Sequence, residues 1–305
     1  MPDAGKIEPA FKAQTDARDS NPKDLLWIHL AVALFGFSGL FAKAVHQPAG
    51  LIVLGRVLFS TVSLLVPMKT AKYPFKPESK RDLALFVLAG LVLAAHWTAF
   101  MESIRVSTVA IGVLTFSTFP VFVTFLEPYF FREKLKASNV VCALVMLAGV
   151  ACIVPEFSLG NETTHGVLWG MAGSLSYAVL SLLNRRFAKR YPGIRVAFYE
   201  QCTATVALLP MLFALRPVFS TNDVMGLLAL GVVFTALAHS MFVQGLKSVR
   251  AQTAGIISSL ESVYGILAAA LLFGEIPGTR EIAGGAVIFS VVLYSTLAAR
   301  KKAGA

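Results

Sequence analysis

Arg56, Glu200 and Glu261 each stand inside a run of about 20 mostly apolar residues. At that depth in a bilayer an ionised group is costly, so it faces a partner or a cavity. Glu261 falls near the middle of its run, among Ser258, Ser259, Ser262 and Tyr264. A carboxylate there can bind a cation or an amine, carry a proton, or hold a neighbouring helix by a structural hydrogen bond. Arg56 offers a planar fork that accepts a substrate carboxylate, or it locks helices together through Glu261 or Glu200. Glu200 lies close to one end of its run and reads as interfacial. His96 and His239 sit at mirror-related depths and titrate in the physiological range, so they could gate or relay protons, or simply hydrogen-bond. Trp97, Phe116, Phe119, Phe122, Trp169, Tyr177 and Tyr264 could line an aromatic pocket suited to a planar substrate. Core or lipid-facing packing is the alternative for each of them. Pro120, set among these rings, removes a backbone hydrogen bond and is expected to bend its helix. The candidate substrate or coupling site is therefore Glu261, Arg56, His96, Trp97, Phe119, Pro120, Ser259 and Tyr264.

The elements that would hold these groups are membrane helices. Of 305 residues, 56% are hydrophobic and 14% charged, and the mean hydropathy is +0.70. A soluble domain of this length cannot bury so much apolar surface. Ten runs long enough to cross about 30 Å of hydrocarbon are expected at 25–45, 49–68, 82–103, 107–130, 137–155, 164–184, 195–215, 222–246, 251–273 and 281–299. The fold class expected is an all-α integral membrane protein. The polar first 24 residues contain no apolar h-region and read as a disordered cytoplasmic tail.

The net charge of +10 would suit nucleic acid, but its placement does not. With ten spans and a cytoplasmic N-terminus, 22 Lys and Arg fall inside and 4 outside (Lys43, Arg105, Arg216 and Arg280), with Arg56 within a span. This is the positive-inside pattern of an insertion signal, and it puts both termini in the cytoplasm. Cys142, Cys152 and Cys202 lie in separate spans and read as packing residues, making neither a disulfide framework nor a metal site. No GxxxxGK[ST], HExxH or GxSxG string occurs, so a P-loop, a zincin site and a hydrolase elbow have no motif here. No metal, cofactor or nucleic-acid partner is expected; the partners are the bilayer and a small molecule.

The chain also repeats itself. Phe100 to Gly149 lies without a gap on Phe242 to Val291, a shift of 142 that pairs Arg105 with Lys247, Ser117 with Ser259, Phe131 with Phe273 and Glu133 with Glu275. Lys43 falls on Arg185 at the same shift. Charge counting puts Arg132-Glu133 inside and Gly274-Glu275 outside, so the two copies run in opposite senses. Two inverted five-span units are expected, 25–155 and 164–299, joined outside by PEFSLGNETTH, and such units are an architecture of alternating-access transporters.

Arg56 in the second span, Pro120 and Arg132-Glu133 around the fourth, Ser258-Ser259-Leu260-Glu261, Phe273-Gly274-Glu275, and Gly284-Gly285 in the last span resemble the EamA-type transporters of the drug/metabolite transporter superfamily. The resemblance covers residues 25 to 299. It implies a ten-span transporter of the inner membrane, and its members include amino-acid exporters and riboflavin importers. It departs at Ser262, where the family usually carries proline. The expected function is secondary transport of a small organic metabolite, with proton coupling open; an intramembrane enzyme and a channel or scaffold are the contrasting classes. Cysteines introduced at Lys76 and Thr163 are expected to react oppositely with a membrane-impermeant thiol reagent applied from outside, and equal labelling would rule out this topology.

Overall fold

The computed structural model describes residues 22–131, 137–154, 158, 160–187, 190–245, 257–258 and 260–303, with backbone alone at 127, 128, 131, 139, 185, 243, 244 and 295–303. Among these residues all regular structure is helical. The first half holds α1 (Pro22–Ser38), α2 (Phe41–Ala44), α3 (Ala49–Thr70), α4 (Lys80–Val106), α5 (Val109–Phe116), α6 (Phe119–Phe131) and α7 (Ala137–Ile153). The second holds α8 (Glu162–Phe187), α9 (Gly193–Leu208), α10 (Pro210–Leu215), α11 (Thr221–Gly231), α12 (Ala238–Gly245), α13 (Leu260–Phe273) and α14 (Thr279–Ala303). A π-helical turn, Val232–Leu237, joins α11 to α12.

Seven of the ten expected spans are helical, long and apolar enough to cross a bilayer. The other three differ. The fifth and ninth run partly outside the described residues, at 155 and at 251–256 and 259. The tenth, α14, is helical over Thr279–Ala303, with its side chains described only to Tyr294. The Arg132-Glu133 turn, Lys247 and nearly all of the tail lie outside the described residues.

Helix starts follow capping chemistry. The Ser79 hydroxyl accepts from the Asp82 N–H at 3.0 Å, and the Ser220 hydroxyl accepts from the Asp223 N–H at 3.1 Å. Each satisfies an orphan donor of a first turn. These two Ser-x-x-Asp starts are 141 residues apart, and their carboxylates bind corresponding places. Asp82 accepts from the Tyr191 hydroxyl at 2.9 Å and from Arg190 at 3.3 Å. Asp223 accepts from the His46 N–H at 3.1 Å and the Gln47 amide at 3.3 Å. His46 and Gln47 precede α3 as Arg190 and Tyr191 precede α9, 144 residues later. Burial pushes the Tyr191 phenol above its usual range, which keeps it a donor to Asp82 as pH rises.

The same exchange runs through the packing. The helix α4 packs on α8 as the π turn and α12 pack on α1, α9 on α4 as α11 on α3, and α5–α6 on α8 as α13 on α1. The pairs α3–α9 and α7–α14 each join one half to the other. Thr61 and Thr205, 144 residues apart, meet at 3.4 Å between α3 and α9. Glycines set the closest crossings. A Cβ on Gly90 would stand 2.7 Å from the Glu200 carbonyl oxygen, and one on Gly231 would stand 2.9 Å from that of Arg56. Small residues let helix backbones approach this closely inside a membrane. Gly90→Ala and Gly231→Ala are each expected to destabilise the bundle by about 1–3 kcal/mol through overpacking against backbone that cannot move aside. Gly278→Ala, with its nearest neighbour at 3.9 Å, should be silent. Thermal unfolding of the detergent-purified variants measures the difference.

Candidate functional site

Arg56 is the anchor of the interior. It sits on α3 with 4% exposure, its Nε donating to Thr235 Oγ1 at 2.9 Å and its guanidinium 3.8 Å from the Trp97 ring centroid. Thr235 belongs to the π turn and donates to the Leu230 carbonyl at 2.8 Å, so its hydroxyl is used on both sides. The turn has a sequence cause. Gly90 and Gly231 are 141 residues apart, whereas Phe100 and Phe242 are 142 apart; one extra residue lies between, and a π turn absorbs it. The expected ion pairs of Arg56 with Glu261 or Glu200 are not formed. A hydroxyl and a ring face hold the guanidinium instead, and its two terminal amino groups have no hydrogen-bond partner among the described residues.

Glu261, on α13, has no hydrogen-bond or salt-bridge partner among the described residues, but Arg56 attracts it through space. It is half-buried. Tyr177 on α8 has the same character and lies within electrostatic reach of Glu261 and Glu200.

The aromatic pocket forms in part. His96 Nδ1 donates to the Gly173 carbonyl at 2.9 Å, and its ring lies 5.0 Å from Tyr177 and 5.2 Å from Phe116. Phe119 stands edge-on to Tyr177 at 4.9 Å. His96, Phe116, Phe119 and Tyr177 therefore share one cluster, while Trp97 is engaged by Arg56. Tyr264 does not join them: it packs with Ile28, Val32 and Phe242 under α1. Ser259 lies outside the described residues.

Pro120 acts differently from expectation. The fourth span is not a bent helix but two helices, with α5 ending at Phe116 and α6 starting at Phe119. The N–H that proline lacks would have reached the Phe116 carbonyl one turn back; the Ser174 hydroxyl donates there instead, at 3.1 Å. Across the break, Ser117 and Ser262 hydroxyls meet at 2.8 Å, so Ser262 holds α13 to α5. Glu200, expected at an interface, is covered by protein and only 6% exposed.

Thr235, Asn184 and Ser174 have no signal in hydropathy, and of these only Thr235 could be found, through the one-residue change of shift. Two apolar grooves, about 730 Å³ between α7 and α14 and about 280 Å³ beside α5 and α13, contain none of the charged groups above. Among the described residues no group of three His, Cys, Asp or Glu side chains is placed to hold a metal ion.

The EamA-like transporter family matches this sequence twice, at residues 23–154 and 164–297. The chain belongs to that family. An uncharacterized transporter of Bacillus subtilis, YxxF, is 23% identical over 90% of this chain and 89% of its own. A protein of Streptantibioticus cattleyicolor named "Probable terminal-alkyne amino-acid exporter" is 26% identical over 73% of this chain and 77% of its own. A crystal structure at 19% identity superposes with a TM-score of 0.65, covering 92% of this chain and 99% of the other, which fixes the fold. The chain is accordingly a multi-pass membrane protein of a transporter family.

Thr235→Val removes the acceptor of the Arg56 Nε–H and leaves a buried charged donor unmet. It is expected to cost about 1–3 kcal/mol, whereas Thr235→Ser should retain most of the stability. Comparing the melting temperatures of the two variants tests the assignment.

Proposed function

We propose that this protein is a secondary transporter of a small zwitterionic metabolite with an aromatic or apolar side chain, of the amino-acid type. It works by alternating access between two inverted five-span repeats, 25–155 and 164–299. The observation that carries the reading is the enclosed pair of unlike charges, Arg56 and Glu261, beside the rings of Trp97, Phe116, Phe119 and Tyr177. The terminal amino groups of Arg56 present the fork that a carboxylate takes bidentately. Glu261 receives the substrate ammonium, and the ring faces take its apolar body. Neither charge is spent on the other, so both are available to a ligand that carries the complement of each.

The exchange of contacts between halves supports the repeats: Asp82 with Arg190 and Tyr191 answers Asp223 with His46 and Gln47, and Gly90 over Glu200 answers Gly231 over Arg56. A substrate site between such halves is what alternating access requires. The amino-acid exporter among the relatives supports the substrate class. In this reading the protein sits in the inner membrane with both termini cytoplasmic, and a proton gradient drives accumulation.

Labelled L-phenylalanine and L-tryptophan should enter proteoliposomes of the purified chain, faster with a pH gradient than without. Glu261→Gln keeps the shape and removes the charge; it is expected to abolish accumulation while leaving the melting temperature close to wild type. Normal accumulation in that variant would move the amine site elsewhere, and loss of folding would make Glu261 a structural partner.

A further inference from the structure

Glu200 is left over from the site just described. It is 6% exposed on α9, about 10 Å from the helix start at 1.5 Å per residue. The Asn184 amide donates to one of its carboxyl oxygens. Among the described residues its other oxygen, Oε1, has no partner, and neither has Asn184 Oδ1. Both orphaned atoms are acceptors, and they belong to two side chains already joined by one hydrogen bond. A single proton on Glu200 converts them into donor and acceptor, closing a reciprocal acid–amide pair.

Among the described residues no cation pairs with Glu200 to do the same work. On α3, Arg56 makes no contact with Glu200: its Nε donates to Thr235 and its guanidinium faces Trp97. On α4, Asp82 is tied to Tyr191 and Arg190, and His96 to the Gly173 carbonyl. On α9 itself, Arg195 donates to the Lys76 carbonyl at 2.6 Å and Tyr199 to that of Phe75. On α8, Tyr177 brings only a neutral phenol within electrostatic reach. An ionised Glu200 would thus be an uncompensated buried charge, an arrangement that costs several kcal/mol.

Resting on the transporter reading, we propose that Glu200, with Asn184, is a proton-binding site of the transport cycle, separate from the substrate charges Arg56 and Glu261. The carboxylic acid is the form in this conformation. Its O–H bond breaks when the interior opens, the electron pair stays on the carboxylate, and the proton leaves to water. The position suits coupling: the Glu200 backbone presses on Gly90 of the opposite half, at the place equivalent to Arg56 on Gly231. Gain or loss of charge there acts directly on a crossing between halves.

Infrared spectroscopy of the full chain in liposomes tests this without a substrate. The expected result is a protonated-carboxyl C=O band at neutral pH that fades reversibly on alkalinisation, persists in Glu261→Gln and is lost in Glu200→Gln. In transport, Glu200→Gln should lose pH-driven accumulation of L-phenylalanine yet keep its exchange across the membrane. A band unchanged in Glu200→Gln, a band that does not titrate, or intact pH-driven accumulation would each overturn the proposal. Should Glu200→Gln fail to fold, Glu200→Asp decides: a displaced band supports the assignment and an undisplaced one refutes it. If wild type moves no L-phenylalanine, the zwitterion reading fails, and the infrared result still decides the proton site.

Discussion

Helix crossings at backbone contact govern this molecule, and two of them answer each other between its halves. Gly90 of α4 lies against the Glu200 carbonyl of α9, and Gly231 of α11 lies against the Arg56 carbonyl of α3. In hydrocarbon there is no hydrophobic force to press helices together, so association rests on close packing and on polar groups answered inside the protein. Both devices meet here. The glycines bring the helices to contact at the very residues whose side chains carry charge, which draws those side chains into the interior. The guanidinium is then met by Thr235 and Trp97, the carboxyl by Asn184, and the rest of the bundle closes around them.

What the sequence makes legible depends on whether a residue's role follows from its own run or from its neighbour's. Arg56 and Glu261 stand out because a charge inside an apolar run is too costly to persist without a task. The transporter family is equally legible, from motifs spread over most of the chain. Thr235 gives only an indirect sign: a threonine is at home in a membrane helix, and the one-residue change of shift marks the π turn that aims it at Arg56. Glu200 misleads, because its distance from a helix end says nothing of which helix covers it. Pro120 marks a discontinuity but not its kind, since the hydroxyl that replaces its missing N–H comes from Ser174, 54 positions along the chain on α8. Tyr264 fits the aromatic pocket by type alone, whereas the face of α13 that bears it is turned to α1.

The ends of the bundle are held by weaker means than its middle. On the side of the α1–α3 link, Lys43 pairs with Glu275 at 3.2 Å, and Glu275 also accepts from the Val109 N–H at 2.9 Å. On the side of the α3–α4 link, Arg190 bridges Glu78 at 3.1 Å and Asp82 at 3.3 Å. Each tie joins the first half to the second, and each is partly exposed, so a single pair contributes only about 0–1 kcal/mol. The glycine crossings cannot yield in the same way, because their contacts are with backbone and Cβ atoms, which cannot turn aside. In the proposed cycle this contrast sets the motion. Breaking one set of end contacts and keeping the other costs little, while the middle stays in contact and acts as the fulcrum. A proton gained or lost at Glu200 changes the charge at that fulcrum.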